Sequence, residues 1–111
     1  MNSFGEIHDL QRICMPTIRL ITNVGPVHLE GLGSIEGVAK AKGELFAGAR
    51  VGDLLLVNAD DNHIIGQVPE KEGVKLKYFG TDKSCDMQLT DVQGTAYDTT
   101  FTIRYATYLL L

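Results

Sequence analysis

The sequence predicts an α/β fold: a partial parallel sheet built on one βαβ unit, followed by an antiparallel β extension. Three observations carry that expectation. Residues 17–23 and 51–57 are nearly continuous apolar runs, as in strands covered on both faces. Between them, residues 35–46 place apolar side chains at helical spacing, so strand, helix and strand follow in the order of a parallel crossover. From Met87 onward the pattern changes to apolar–polar alternation, the period of half-exposed strands.

Taken in order, the first element is a short amphipathic helix over residues 5–14, with apolar positions at 7, 10, 13 and 14, closed by Pro16. The strand over 17–23 then empties into a glycine-rich loop carrying His28 and Glu30. A helix opens at Ser34, whose hydroxyl suits an N-cap, with Glu36 in the first turn where the dipole favours negative charge. At roughly 100° per residue, Ile35, Val38, Ala39, Leu45 and Phe46 share one apolar face of about 120°. Lys42 falls near the middle of that face, whereas Lys40, Glu36 and Glu44 fall on the wettable side. The helix ends near Gly48, and residues 51–57 form the second strand. Asn58 to Asn62 can cap a short helix reaching toward Gly66, Val74 to Phe79 reads as a third strand, and Gly80-Thr81-Asp82 as a turn. Residues 87–92, 97–105 and 108–111 complete an antiparallel meander, with Gln93-Gly94 at a turn.

Composition narrows the function. The net charge is −4 with signs mixed along the chain, and no block of Lys and Arg offers a surface to nucleic acid or anionic membrane. The two cysteines, Cys14 and Cys85, have no metal-ligand spacing, so reduced thiols in a cytoplasmic protein are expected. There is no signal peptide and no apolar run long enough to span a bilayer. Both predicted parallel strands want neighbours and covering helices that 111 residues hardly supply, and the chain stops inside the apolar run Tyr108 to Leu111. We therefore expect a fragment whose bare sheet edges can pair between copies.

Ligands in open α/β sheets gather at the carboxyl ends of strands, where Asn23 to Gly33 and Asn58 to Asn62 lie. His28 suits a metal ligand through a neutral ring nitrogen, or a surface or internally bonded loop histidine. Glu30 suits a partner for His28 or for a bound water, or a solvated carboxylate. Asn58, Asp60 and Asp61 suit a nucleotide or metal, and equally helix capping. Lys42 has two readings: an amine with a lowered pKa among apolar groups, or a side chain at the stripe's edge snorkelling to water. No G-x-x-x-x-G-K-[ST] phosphate loop and no G-x-S-x-G elbow occur, and His8 and His63 read as surface residues.

The run Asn23-Val24-Gly25-Pro26-Val27-His28-Leu29-Glu30-Gly31-Leu32-Gly33-Ser34, with Val38-Ala39-Lys40-Ala41-Lys42-Gly43-Glu44-Leu45-Phe46, closely resembles the Mur ligases. The match begins at Met1-Asn2-Ser3-Phe4-Gly5-Glu6-Ile7 and continues through Val57-Asn58-Ala59-Asp60-Asp61, while the final meander is similar in pattern only. The resemblance implies residues 1–111 are the C-terminal part of a central, ATP-binding domain, without its phosphate loop and without the C-terminal domain. It implies an ATP-dependent ligase that joins a carboxylate to an amine through an acyl phosphate. The substrates implied are a UDP-muramoyl tripeptide and D-alanyl-D-alanine, with ATP and Mg²⁺ as cofactors. By motif match, His28 corresponds to a magnesium ligand and Lys42 to a lysine that takes up CO₂ as a carbamate, a metal-facing anion. Asn23, Glu30, Asn58 and Asp60 are the further candidates for cofactor contact. Val27 and Leu32 stand where alanine and phenylalanine are more usual. The acidic metal ligand that precedes Met1-Asn2-Ser3 in the family is missing, as is the Arg/Gly-x-His-Asn-type segment that helps hold the nucleotide. Two alternatives are a family member adding a different amino acid, and a non-catalytic interaction domain that kept the fold.

Overall fold

The computed structural model describes residues 2–26 and 29–105. Its elements run α1 (Glu6–Cys14), β1 (Ile18–Leu20), α2 (Leu29–Leu32), α3 (Ile35–Ala47), β2 (Leu54–Asn58), α4 (Asn62–Ile65), β3 (Lys75–Gly80), β4 (Met87–Gly94) and β5 (Thr99–Tyr105). A five-stranded sheet has the order β1-β2-β3-β4-β5. The first four strands are parallel and β5 runs antiparallel to β4. The expected α/β class and its βαβ unit are therefore observed.

The helix α3 forms for the reasons its sequence offers. Ser34 is extended and its Oγ accepts the Gly37 N–H at 3.1 Å, satisfying one of the orphan donors of the first turn. Val38, Ala39, Ala41, Gly43 and Phe46 are buried. Phe46 packs with Ile21, Leu55, Val57 and Ile64 in the main cluster, while Val38, Ala41 and Leu32 form a second one at the helix start. Lys40 is exposed and lies 5.9 Å from the Phe4 ring centroid. The amino-terminal segment docks on this helix as well. Gly5 N–H donates to both Glu44 carboxylate oxygens, at 3.1 and 2.8 Å.

Several expectations need correction. The strand expected over 17–23 shortens to Ile18–Leu20, and it is not covered on both faces: only Arg19 is buried, while Ile18 is 62% and Leu20 45% exposed. Arg19 takes the core position because its two terminal guanidinium nitrogens are paired there, only the buried Nε being without a partner among the described residues. It bonds the Gln11 side chain, the Leu45 and Pro16 carbonyls (both 3.0 Å) and Asp53 Oδ2 (3.2 Å). Gln11 in turn donates to the Glu44 carbonyl at 2.9 Å, so this network ties α1, α3, β1 and the start of β2 together. The second strand starts at Leu54 rather than Val51, because Gly52 turns the chain at φ 90° and Asp53 serves the arginine network. The glycine-rich loop contains one helical turn, α2. β4 is not part of a pure meander: Met87 and Gln88 pair in parallel with Phe79 and Gly80 on one side, while β4 pairs antiparallel with β5 on the other from Met87 onward. The overlap of only these two pairs is what lets so short a connection join parallel strands. The last expected strand, 108–111, lies outside the described residues.

Candidate functional site at the strand tips

The carboxyl ends of β1 and β2 are brought side by side by the parallel pairing of Leu20 with Leu56. Beyond β1 the chain runs as irregular backbone through Thr22, Asn23 and Val24, whose peptide groups have no sheet partner among the described residues and are met by side chains instead. Asn58, the last residue of β2, donates from Nδ2 to the Thr22 carbonyl at 2.7 Å. Its Oδ1 accepts the Asp60 N–H at 2.9 Å. Lys42 reaches across from α3 and donates from Nζ to the Asn23 carbonyl at 2.7 Å. Asp61 Oδ2 accepts the Val24 N–H at 2.8 Å, while its Oδ1 accepts the His63 and Ile64 N–H groups at 3.0 and 3.4 Å and so caps α4.

Lys42 is half-buried. It is thus neither walled in by hydrocarbon nor extended into water: it sits at the edge of the apolar stripe and its head group finds a strand-tip carbonyl. Asn23 contributes its backbone at this position. Asp60 faces the other way, toward the end of β3. Its carboxylate accepts the Thr81 N–H at 3.1 Å to both oxygens and the Thr81 hydroxyl at 3.1 Å. A Cβ at Gly80 would stand 2.7 Å from Asp60 Oδ1, so the close approach of this carboxylate needs glycine there. Asn58 and Asp60 accordingly brace the strand ends with the polar atoms they were expected to offer a nucleotide. Glu30 is exposed on α2, where it lines an open cavity of about 570 Å³ with Asn2, Pro26, Leu29 and Gly31. His28 lies outside the described residues.

Among the described residues, no group of three or more His, Cys, Asp or Glu side chains is placed to hold a metal ion. His8 and His63 are exposed, as expected, and Cys14 and Cys85 are free thiols. Burial, helped by the charges of Asp82 and Asp60, pushes the Cys85 thiol up, away from the reactive thiolate form. No described helix is long and apolar enough to cross a membrane. Sequence reading did not foresee the double use of Asp61. Its capping role was legible from its place before a short helix, but its second oxygen reaches a residue far away in the chain.

Residues 1–108 match the family described as the Mur ligase middle domain. The chain is similar to the UDP-N-acetylmuramoyl-tripeptide--D-alanyl-D-alanine ligase of Haemophilus influenzae, with 32% identity over 102 residues, 92% of this chain and 22% of that protein. The ligase of the same name from Escherichia coli is 34% identical over 107 residues, covering 96% of this chain and 24% of its own. Among solved structures, MurF from Acinetobacter baumannii superposes with a TM-score of 0.82 at 21% identity, over 95% of this chain and 23% of that one. MurF ligase from Thermotoga maritima, in complex with ADP, gives 0.77 at 24% identity, over 94% of this chain and 24% of its own. At such identities the superpositions speak for the fold alone. The chain thus spans less than a quarter of the length of these relatives. With the family's pattern running along nearly all of its length and its sheet laid over theirs, the chain belongs to the Mur ligase middle-domain family.

Proposed function

We propose that this chain is the later part of the central domain of an ATP-dependent ligase that joins D-alanyl-D-alanine to a UDP-N-acetylmuramoyl-tripeptide in the cytoplasm. The observation that carries this reading is the position of Lys42 Nζ, 2.7 Å from the Asn23 carbonyl at the tip of β1 and in the segment leading to His28. The relatives to which this chain is similar are named for that reaction. In such a ligase the tripeptide's terminal carboxylate is activated as an acyl phosphate and captured by the incoming amine, with phosphate leaving. The phosphoryl step develops negative charge that positioned cations stabilise.

The role proposed for Lys42 is as a carbamate. Its neutral amine attacks CO₂, an N–C bond forms, and one amine proton leaves to solvent, turning a cationic side chain into an anion. A lysine only half in water, with its head group held by a carbonyl, keeps that nitrogen at the strand tips where the family's chemistry takes place. Mg²⁺ is assigned to His28 and the Lys42 carbamate by the family resemblance. The described residues do not by themselves compose a metal cage. No phosphate-loop motif occurs in these residues, and no phosphate contact is assigned to them.

In the full-length ligase, Lys42→Ala should abolish turnover and Lys40→Ala should cost little, since Lys40 is exposed on α3. Added formate or acetate should partly restore the Lys42→Ala enzyme by standing in for the lost anion. Equal losses at both lysines, measured as phosphate release, would remove the basis of the assignment. A second reading, a non-catalytic interaction domain, draws on the exposed apolar residues Ile18, Phe101, Ile103 and Tyr105. Turnover untouched by Lys42→Ala is the outcome that favours it.

A further inference from the structure

We infer that Asp61 is a positioning residue for Lys42, acting through the single peptide group that joins Asn23 to Val24. This inference rests on the functional reading above. The two bonds at the tip of β1 fall on opposite ends of that one peptide: its carbonyl accepts from Lys42 Nζ at 2.7 Å, and its N–H donates to Asp61 Oδ2 at 2.8 Å. Both are charge-assisted, and each polarises the amide in the same sense, so each strengthens the other. The preceding peptide is held too, by Asn58 Nδ2 on the Thr22 carbonyl at 2.7 Å. Two successive peptides that lack sheet partners among the described residues are therefore fixed by side chains from α3, from the tip of β2 and from the cap of α4.

The chemical consequence lies at the lysine nitrogen. An ammonium has three N–H donors, and any of them can serve the Asn23 carbonyl. Once Nζ has taken up CO₂ it keeps only one N–H, and donation of that hydrogen to the same carbonyl sets the direction in which the carbamate oxygens point. The carbonyl can do so only while its peptide plane is fixed, and Asp61 fixes it. Asp61 thus links the end of β2 to the aim of a group carried by α3.

The division of labour between the two carboxylate oxygens supplies a selective variant. Oδ1 caps α4, whereas Oδ2 meets Val24. Asp61→Asn keeps one oxygen for the cap, where asparagine serves as well as aspartate, and sets an NH₂ against the Val24 N–H. Amide hydrogen exchange should find Val24 protected in the wild-type chain. In Asp61→Asn its protection should fall by about tenfold or more while Ile64 keeps its own. In the full-length ligase, Asp61→Asn should lower kcat by about tenfold with KM for ATP within about twofold. Raised bicarbonate should leave that loss in place, because the carbamate still forms and only its aim is lost, and a loss confined to kcat is a split that a merely loosened nucleotide site would not give.

A Val24 amide exchanging at the rate of open coil in the folded wild-type chain overturns the proposal without any variant, which decides the matter should Asp61→Asn fail to fold. An unchanged kcat in Asp61→Asn, or a loss that raised bicarbonate fully reverses, also overturns it. These outcomes are separable from failure of the underlying reading. An active Lys42→Ala enzyme defeats that reading, whereas an inactive Lys42→Ala beside a fully active Asp61→Asn defeats only the positioning role.

Discussion

Asp53 is 5% exposed and sits where four chain segments meet, and its ionisation is part of what joins them. The Arg50 N–H, at 2.8 Å from Oδ2, is the main cause holding its carboxyl below the ordinary aspartate range. Burial opposes this, the hydrogen bond and charge of Arg19 and the charge of Arg50 add to it, and the net effect is downward. A carboxyl whose pKa is lowered on folding stabilises the native state at neutral pH, and that contribution is lost as pH falls through the folded-state value. Thermal melts should therefore show Tm dropping as pH falls from about 4 toward 2. Asp53→Asn should lower Tm at pH 7 and flatten this acid limb, because the Arg19 charge then stays buried without a counter-charge at either pH. An acid limb as steep in the variant as in the wild type would place the titrating group elsewhere. The residue scale is where sequence reading was least informed. An arginine between Ile18 and Leu20 was a visible anomaly in an apolar run, but its partners Gln11, Leu45 and Asp53 come from α1, from α3 and from the turn before β2.

At the scale of the element, α3 was read almost entirely from its own residues. Helical periodicity and a capping serine are local properties, and both survive in the folded chain. Ser34→Ala should cost about 1 kcal/mol in chemical denaturation, the usual worth of such a cap. Phe46→Ala, at a fully buried site in the cluster with Ile21, Leu55, Val57 and Ile64, should cost about 3–5 kcal/mol. A Phe46 variant no weaker than the cap variant would mean the core has been misplaced. Gly37 needs to be glycine for a reason invisible in the helix alone: a Cβ there would come within 2.0 Å of the Leu32 carbonyl, where α2 turns into α3. The parallel start of β4 escaped sequence reading likewise, since strand alternation reports exposure and not the direction of a neighbour.

For the molecule as a whole, what stands out is apolar surface. Ile18 and Leu20 on β1, and Phe101, Ile103 and Tyr105 on β5, are each between 45% and 63% exposed. Among the described residues, β1 and β5 are the outer strands of the sheet, carry such residues and have a strand neighbour on one side only. The 111-residue chain should therefore self-associate with rising concentration in sedimentation velocity runs. Ile18→Lys combined with Ile103→Lys should return it toward monomer; a chain that stays monomeric at millimolar concentration contradicts this. The expectation of an uncovered sheet was legible from residues 17–23 and 54–57, which ask for more burial than so short a chain provides.

The class of fold, the capped helix α3, a helix cap somewhere in residues 58–62 and the family were legible in the chain alone, because each depends on neighbours close in the chain or on a pattern read along it. Only the tertiary structure decided what surrounds Lys42 and Arg19, and which peptide Asp61 holds. Those outcomes depend on contacts across 19 residues for Lys42 and Asn23, and across 37 for Asp61 and Val24. Hydrophobic periodicity records which side of an element is turned inward. It carries no information about which polar atom will be waiting there when the elements meet.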